Sequence, residues 1–334
     1  MTLHMRSLVR FWLENARWVA LPQSLTPALA AAAMASTHAE FSILLAIVSS
    51  LGVCMAHLSL NLFDDYFDYK KNKPGIRDTL ARAGFRARTG KCDYLISGEA
   101  TVKQLLAAAL IFGGIAGLCG IVVFIFRGLT VIWFVLVVGA LGLAYSAEPL
   151  RLSYRGLGEP TIGLIFGPLL VSGVYFSSSG IFGINSVVVG AAIGLLVTNI
   201  LYCHSVLDLE ADKSVGKLTL AGIIPSPKGR VALSFVLLFL PYAIIFAGVI
   251  FKLLPLWYLL TMLTLPMAVA LARSMLCFYR NPQAAVSRRV WYGIMTKWEE
   301  IKAEGIDWFM LRWYLARNII MSFSVLIIIA AFLS

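Results

Sequence analysis

Two groups of acidic side chains lie where long apolar stretches end, and their spacing suits cation binding. The first group, in NLFDDYFDYKK, consists of Asn61, Asp64, Asp65 and Asp68. Their i, i+3, i+4, i+7 spacing places them on one face of a helix. The second group, in HSVLDLEADKSVGKLTL, contains Asp208 and Asp212 with an i, i+4 spacing. Each group is followed by a basic loop, which suggests two related halves with a site between them.

Carboxylates that face one another in this way repel unless a cation lies between them. Mg²⁺ takes oxygen ligands and is commonly held by one or two carboxylates together with substrate phosphates. Nearby Lys and Arg side chains would bind the remaining phosphate oxygens. A diphosphate with apolar helices behind it indicates a lipid diphosphate as substrate. The alternative is a solvated acidic face paired with Lys70 and Lys71, which explains one cluster better than two matched ones.

Composition predicts that membrane-spanning helices position these groups. The chain has 334 residues, 60% hydrophobic and 13% charged, with a mean hydropathy of +0.84. Soluble domains average about half apolar and a quarter charged. We therefore expect one all-α integral-membrane domain over residues 1–334. Apolar stretches of about 17–25 residues predict nine spans, at 18–36, 41–63, 105–126, 129–147, 161–179, 185–206, 231–251, 255–276 and 314–333.

Basic residues orient the predicted bundle. All of the 28 Lys and Arg residues except Arg127 and Lys252 fall on one side of it. The positive-inside rule then predicts a cell (inner) membrane protein with a cytoplasmic N-terminus and an external C-terminus. Both acidic clusters would lie at the cytoplasmic ends of spans two and six. The net charge of +11 is interpreted as a topology signal and an attraction to anionic headgroups, with no nucleic-acid partner.

Two segments outside the spans have their own composition. Residues 1–17 are predicted to form a cytoplasmic amphipathic arm. A signal peptide is the alternative for the arm and span one, but the apolar run is longer than a typical signal core. Residues 280–313, in which Trp alternates with Lys and Arg, predict an interfacial segment before the last span.

The two acidic motifs resemble those of the UbiA-type intramembrane prenyltransferase superfamily. AYSAEPLRLSYRGLGEPTIGLIFGPLLVSGVYF (144–176) and SGEATVKQL (97–105) are most similar to the branch of 1,4-dihydroxy-2-naphthoate polyprenyltransferases in menaquinone biosynthesis. The likeness covers about residues 18–276. It implies a nine-helix bundle that binds a polyprenyl diphosphate with Mg²⁺ and transfers the prenyl chain to an aromatic acceptor, here 1,4-dihydroxy-2-naphthoate, with loss of CO₂ in that case.

The resemblance also implies roles for individual residues. The catalytic metal–diphosphate positions correspond to Asp65, Asp68, Asp208 and Asp212, with Asp64 as a further metal ligand. The expected substrate contacts are Asn61, Asp64, Lys71, Tyr145, Tyr154, Arg155, Lys213 and Lys217. Either tyrosine could face the developing allylic cation. His57 and His204, on the faces of the two clusters, are interpreted as hydrogen-bonded packing residues rather than catalytic bases.

Three positions depart from the family pattern. In the first motif, Asp64 occupies a position where the family usually has Asn, and Asn72 occupies the position of a further Asp. In the second motif, Leu207 replaces the Arg that is usual in the menaquinone branch. The last departure leaves 4-hydroxybenzoate, homogentisate, haem or a lipid alcohol open as acceptors. A cation-coupled transporter is the alternative from another class, although transporters place such acidic groups nearer the midplane. A phospholipid-headgroup transferase is disfavoured because its Gly-containing Asp signature is absent.

The topology is testable with fusion proteins. Because translocating the basic loops would oppose the positive-inside rule, a reporter fused after Ser334 should be active only outside the cytoplasm. The same reporter placed within the loop at residues 72–91 serves as the cytoplasmic control. A C-terminal reporter active only in the cytoplasm would contradict the arrangement, and with it the common side of the two clusters.

Overall fold

The structure, a computed structural model, describes residues 3–71, 92–214, 216–281 and 286–334. Across these ranges the chain is helical, and its β-structure is one isolated bridge between Arg155 and Leu218. The helices are α1 Leu3–Asn15, α2 Pro22–Ala35, α3 Ile43–Lys71, α4 Asp93–Ile96, α5 Val102–Arg127, α6 Thr130–Ser146, α7 Gly158–Leu164, α8 Leu170–Ser179, α9 Ile184–Leu207, α10 Leu209–Ser214, α11 Leu220–Ile223, α12 Pro227–Ile250, α13 Leu265–Arg280, α14 Trp298–Ala303 and α15 Asp307–Leu333. Shorter 3₁₀ segments are Trp18–Ala20, Leu152–Tyr154, Leu256–Thr264 and Val290–Tyr292.

Seven helical stretches of the described chain are long and apolar enough to cross a membrane. They are Ile43–Lys70, Val102–Arg127, Gly158–Ser179, Ile184–Leu207, Pro227–Ile250, Leu256–Arg280 and Asp307–Leu333. The all-helical prediction is therefore confirmed, together with seven apolar spans. The first and fourth predicted spans correspond to shorter helices, because α2 has 14 residues and α6 has 17.

Burial separates central helices from peripheral ones. In the apolar part of α9, 72% of the residues are buried, against 11% in α5. The large exposed side chains of α5 are Leu110, Ile111, Leu118, Ile121, Ile125 and Phe126. An apolar surface of this extent is unfavourable in water but suits contact with lipid. The helices α2, α8, α9 and α15 instead supply the main buried core.

Two helices extend beyond the apolar stretches that predicted them. The second predicted span ends at residue 63, but α3 continues to Lys71 and carries the first acidic cluster in its last turns. Strong helix breakers are missing there, since no Gly or Pro follows Gly52 within α3. The last predicted span begins at residue 314, but α15 begins at Asp307, whose carboxylate suits a helix N-terminus.

The segment before α15 folds back onto that helix. The side chains of Arg317 and Asn318 donate to the carbonyl of Ile294, at 2.9 and 3.0 Å. In the same segment, Met295 and Ile301 pack with residues of α15 in a small hydrophobic core. These bonds satisfy backbone groups of an irregular segment beside an apolar helix.

Glycines permit the closest helix contact of the bundle. A π-turn at Ile165–Leu169 joins α7 to α8, and it contains Pro168, which has no N–H to donate. Here the backbone approaches α9 so closely that a Cβ added to Gly167 would lie 2.6 Å from the nitrogen of Gly194. The contact is between backbones, so neither side can yield by a rotamer change.

Adding one methyl group at this contact should therefore destabilise the bundle. For Gly167→Ala we expect a loss of about 1–3 kcal/mol in the free energy of unfolding. The measurement is thermal or denaturant unfolding of the purified protein in detergent. The control is Gly117→Ala in α5, where an added Cβ would meet nothing within 4 Å. Equal stability of the two variants would show that the close contact is not a packing constraint.

Candidate active site

The first acidic cluster lies in the last turns of α3, where Asn61 and Asp64 are half-buried and the other two residues are buried. Asp65 and Asp68 are 3% and 4% exposed, so they do not form a solvated helix end. Each accepts a hydrogen bond from a distant tyrosine: Tyr94 donates to Asp65 (3.2 Å) and Tyr154 to Asp68 (2.9 Å). Because hydroxyl donors stabilise buried carboxylates, these bonds hold both groups in position.

Arg17 lies between the first two carboxylates of the cluster. This residue adopts a left-handed conformation (φ 62°) between α1 and the turn Trp18–Ala20. Its guanidinium forms an ion pair with Asp65 and lies 3.6 Å from the carboxylate of Asp64. Burial opposes the charge of Arg17, but the two carboxylates outweigh that effect and raise its pKa above the ordinary value.

Asp64 and Tyr94 complete this side of the site. The hydroxyl of Ser146, the last residue of α6, donates to Asp64 at 2.6 Å. Tyr94 lies in the short helix α4, where burial, followed by the nearby carboxylate of Asp65, raises the pKa of its phenol. The neutral phenol is therefore the form that donates to the carboxylate. The α3 cluster is thus joined to α4, to α6 and to the arm that carries Arg17.

The second acidic cluster lies where α9 meets α10. Asp208 follows the last residue of α9, and Asp212 belongs to α10. The amide of Asp212 donates to the carbonyl of Asp208 at 2.8 Å, so the predicted i, i+4 relation survives the junction of the two helices. His204 Nε2 lies 3.1 Å from Asp208. Asp208 and Asp212 are 2% and 6% exposed and are therefore also buried.

Glu159 holds the loop after the second cluster, a role that the sequence analysis missed. This carboxylate in the first turn of α7 is 3% exposed. It accepts hydrogen bonds from the hydroxyl of Ser205 and from the amide of Leu220 at 3.1 Å. The bonds connect α7, α9 and the N-terminus of α11. A carboxylate at the start of an apolar span was the available signal.

The two clusters border neighbouring cavities. A cavity of about 440 Å³, called here the polar cavity, is lined by Asp64 and Asp65. A small cavity of about 50 Å³ is lined by Asp208 and Asp212. Their shared lining residues are Tyr145, Leu201, His204 and Lys217. The volume of the polar cavity is in the range of small-molecule sites, about 300–1,000 Å³.

A third cavity, called here the apolar cavity, adjoins the polar cavity and lies between the helices. Its volume is about 320 Å³, and it lies among α3, α5, α6 and α8. It shares His57, Leu60 and Phe166 with the polar cavity. Most of its other lining residues are Gly, Ala, Val and Leu. Such a surface offers a hydrocarbon chain dispersion contacts and few hydrogen bonds.

The structure brings most of the predicted substrate residues to this site. Tyr145 and Lys217 line the cavities, and the ammonium of Lys217 lies 6.0 Å above the ring of Tyr154. Asn61 also lines the polar cavity, where its amide donates to the carbonyl of Ala16 at 2.9 Å. The amide of Gly156 donates to the carbonyl of Leu218 at 2.6 Å. This bond joins the loop after α6 to the loop before α11, which carries Lys217.

Two other predicted residues are placed differently, and the side chain of a third is not among those described. The exposed side chain of Arg155 donates to the carbonyl of Pro149 at 2.8 Å. Lys213, also exposed, pairs with Glu210 at 3.0 Å. Neither side chain lines the cavities formed by the described residues. Lys71 ends α3, but its side chain lies outside the described part of the chain, as do Asn72 and the basic loop to residue 91.

Arg151, which was not among the predicted site residues, lies nearer the first cluster than Arg155. Arg151 is 7% exposed, and its guanidinium stacks 3.8 Å from the ring centroid of Tyr154. Its Nη2 has no hydrogen-bond partner among the described residues. Because Tyr154 donates to Asp68, this buried positive charge lies next to the first cluster.

The side chains suit a magnesium–diphosphate complex better than an ion held by protein alone. Among the residues that the structure describes, no three His, Cys, Asp or Glu side chains form a ready-made metal site. Mg²⁺ commonly uses one or two carboxylates, with water and substrate phosphate supplying the other oxygens. The carboxylates at the ends of α3 and α9 lie beside neighbouring cavities and fit that ligand set. The residues that would hold the ion are Asp64, Asp65, Asp68, Asp208 and Asp212.

Comparison with known families gives the same class of protein. A family model described as "UbiA prenyltransferase family" matches residues 24–295, most of the chain. The chain belongs to the UbiA prenyltransferase family. The resemblance found in the two acidic motifs is therefore confirmed at the level of the family.

Curated relatives in this family come from bacteria and animals. A 1,4-dihydroxy-2-naphthoate octaprenyltransferase of Bacillus subtilis is 26% identical over 64% of this chain and 65% of its own length. A 2-carboxy-1,4-naphthoquinone phytyltransferase of Synechocystis is 29% identical over 67% of the chain and 68% of its own length. The UbiA prenyltransferase domain-containing protein 1 of Danio rerio is 28% identical over 81% of the chain and 78% of its own length.

Solved structures show the same fold at low sequence identity. A digeranylgeranylglyceryl phosphate synthase matches 98% of this chain and 99% of its own with a TM-score of 0.59 and 17% identity. A UbiA homologue from Archaeoglobus fulgidus, bound to GPP and Mg²⁺, matches 95% of this chain and 99% of its own with a TM-score of 0.53 and 14% identity.

Arg17 offers a test of the electrostatics of the first cluster. Arg17→Gln removes the positive charge between Asp64 and Asp65 and leaves two neighbouring carboxylates in a buried site. Removing one partner of a buried ion pair costs about 3–5 kcal/mol. Since 20% of the Arg17 side chain is exposed, we expect a loss in the free energy of unfolding of about 3 kcal/mol, measured in detergent.

The matched control is Arg10→Gln in α1. Arg10 also pairs with a carboxylate, Glu14, at 2.8 Å, but these side chains are 81% and 53% exposed. Exposed ion pairs contribute little, so this variant should unfold like the wild type. If Arg17→Gln is as stable as Arg10→Gln, the Arg17 ion pairs do not stabilise the first cluster.

Proposed function

We propose that this UbiA-family chain transfers a polyprenyl chain from a polyprenyl diphosphate to an aromatic acceptor, 1,4-dihydroxy-2-naphthoate, in menaquinone biosynthesis. The observation that carries the proposal is the meeting of two environments. Carboxylates of the two clusters border two neighbouring cavities, and the larger of these shares three lining residues with an apolar cavity between the helices. A diphosphate requires the first environment and a polyprenyl chain the second.

The carboxylates and basic side chains of the site would bind the diphosphate. Asp65, Asp68, Asp208 and Asp212 would hold it through Mg²⁺, which when bound neutralises the charge that develops as the C1–O bond breaks. Arg17, Lys217 and Arg151 supply positive charge beside the carboxylates. Positioned charges of this kind stabilise the leaving diphosphate in the transition state.

The remaining lining would guide the allylic fragment. As the diphosphate leaves with the electron pair of the C1–O bond, a ring carbon of the acceptor forms the new bond to C1. The ring then regains its aromaticity by losing its carboxylate as CO₂. The rings of Tyr145 and Tyr154 lie beside the carboxylates, where they would stabilise positive charge on the allylic carbons. Apolar residues on the other side exclude the water that would otherwise capture this cation.

The relatives support the choice of acceptor. The Bacillus subtilis and Synechocystis proteins are named for naphthoate and naphthoquinone acceptors. The Danio rerio relative carries no acceptor in its name and covers more of the chain. Other acceptors therefore form the second candidate, with 4-hydroxybenzoate and homogentisate the first to be compared.

The proposed membrane arrangement completes the sequence prediction. We place α2 and α6 as the two further spans, which with the seven longer helices gives nine. The distribution of Lys and Arg supports a cytoplasmic N-terminus in the cell (inner) membrane. The two carboxylate clusters would then face the cytoplasm, where the diphosphate and the acceptor are available.

The metal ligands give the test of the proposed function. Asp68→Asn and Asp212→Asn each remove one negative charge while keeping the size of the side chain. Because metal-assisted charge stabilisation is worth several kcal/mol, prenyl transfer should fall about 100-fold or more. The assay uses purified protein, Mg²⁺, a radiolabelled polyprenyl diphosphate and dihydroxynaphthoate, 4-hydroxybenzoate or homogentisate.

Controls separate the metal, the acceptor and the fold. EDTA should abolish transfer by the wild type, whereas Glu299→Gln, at an exposed position of α14, should leave it unchanged. Full activity of both Asp variants, or activity in EDTA, would contradict the metal–diphosphate site. Prenylation of 4-hydroxybenzoate or homogentisate but not of dihydroxynaphthoate would retain the reaction and reject the proposed acceptor.

A further inference from the structure

His57 lies where the polar cavity meets the apolar cavity. It belongs to α3, on the same face as Asp64, and lines both cavities. The residue is only 8% exposed. Its ring packs edge-on against Phe166, with ring centroids 4.7 Å apart. A polar ring in this position is the main hydrogen-bonding group at the junction, because the neighbouring shared residues are Leu60 and Phe166.

Hydrogen bonding identifies which nitrogen of the ring carries the proton. The hydroxyl of Ser24 donates to the carbonyl of Leu21 at 3.0 Å, and its oxygen lies 2.9 Å from His57 Nδ1. A hydroxyl has one proton, and we assign it to the Leu21 carbonyl, which makes Ser24 the acceptor of Nδ1–H. In the neutral ring, Nε2 then carries a lone pair. This nitrogen makes no hydrogen bond to any residue that the structure describes.

The proposed function places the reacting carbon at this junction. With the diphosphate at the carboxylates and the polyprenyl chain in the apolar cavity, C1 of the chain must lie between them. The acceptor ring must lie within bonding reach of C1, and therefore near His57. A polyprenyl diphosphate has no hydroxyl donor along its chain, so a lone pair here suits the acceptor and not the donor.

We propose that His57 binds the aromatic acceptor, with Nε2 accepting a hydrogen bond from a ring hydroxyl. This inference rests on the proposed function and adds a residue for the acceptor side of the reaction. The flat ring would pack against Phe166 while the hydrogen bond fixes its orientation. The same bond increases the electron density of the ring, which favours attack on C1. Ser24 acts as a positioning residue, since it fixes the tautomer of His57.

Substitution of His57 should affect one substrate and not the other. A lost hydrogen bond of this kind corresponds to about a tenfold change in affinity. For His57→Phe we expect the KM for the acceptor to rise about tenfold, with the KM for the polyprenyl diphosphate unchanged. His57→Gln should recover part of the loss, because its amide oxygen can accept from the same hydroxyl.

A matched control uses the same substitution at another histidine. His38 also hydrogen-bonds and packs against an aromatic ring, Tyr175, with centroids 5.6 Å apart, but it lines neither cavity. His38→Phe should leave both KM values unchanged. If His57→Phe raises the KM values of both substrates equally, or of neither, His57 does not bind the acceptor.

Acceptor analogues test the contact from the substrate side. Each of the two ring hydroxyls is methylated in turn, which removes its donor proton. For one of these ethers, kcat/KM of the wild type should fall about tenfold, and this penalty should vanish in His57→Phe. If His57→Phe fails to fold, His57→Leu, which also lacks a hydrogen-bond acceptor, replaces it in the comparison.

The outcomes distinguish the two proposals. An identical ether penalty in the wild type and the His57 variant, or no penalty for either ether in the wild type, overturns the role of His57 while prenyl transfer itself stands. Absence of transfer to any hydroxylated aromatic acceptor overturns the proposed function and the role of His57 with it.

Discussion

The burial of carboxylates inside an apolar bundle is the constraint on which this structure depends. An uncompensated charge in such surroundings is costly, so each carboxylate requires donors from other elements. Arg17 supplies an ion pair to Asp65 from the chain before α2, and Tyr94 and Ser146 supply hydroxyls from α4 and α6. The first cluster therefore acts as the point at which separate parts of the chain meet.

The second half of the bundle obeys the same constraint with a different carboxylate. Glu159 is buried at the start of α7 and accepts from Ser205 of α9 and from the first amide of α11. This contact holds the loop that carries Lys217 against the helix that leads to Asp208. Meanwhile the glycines beside the π-turn bring α7 and α9 into close contact. Together these features fix the relative positions of α7, α9 and the loop that carries Lys217.

The position of the site follows from where polar and apolar surroundings meet. The carboxylates lie at helix ends, where other segments can provide donors, and the apolar cavity lies between the helices behind them. His57 is held at the junction by Ser24, whose own proton is used by Leu21. Nε2 of His57 is therefore left as a hydrogen-bond acceptor, which the apolar lining residues do not provide.

By itself the sequence determined the class of the fold and one face of the site. Apolar length, charge distribution and the i, i+4 periodicity of Asp64 and Asp68 are local properties, and local properties predict helices and their faces. The burial of Asp65 was not predictable, because it depends on Arg17, 48 positions before it, and on Tyr94, 29 positions after it. Arg151 and Glu159 were missed for the same reason, and only the tertiary structure places their side chains against the clusters and their loops, since charge compensation acts between neighbours in space.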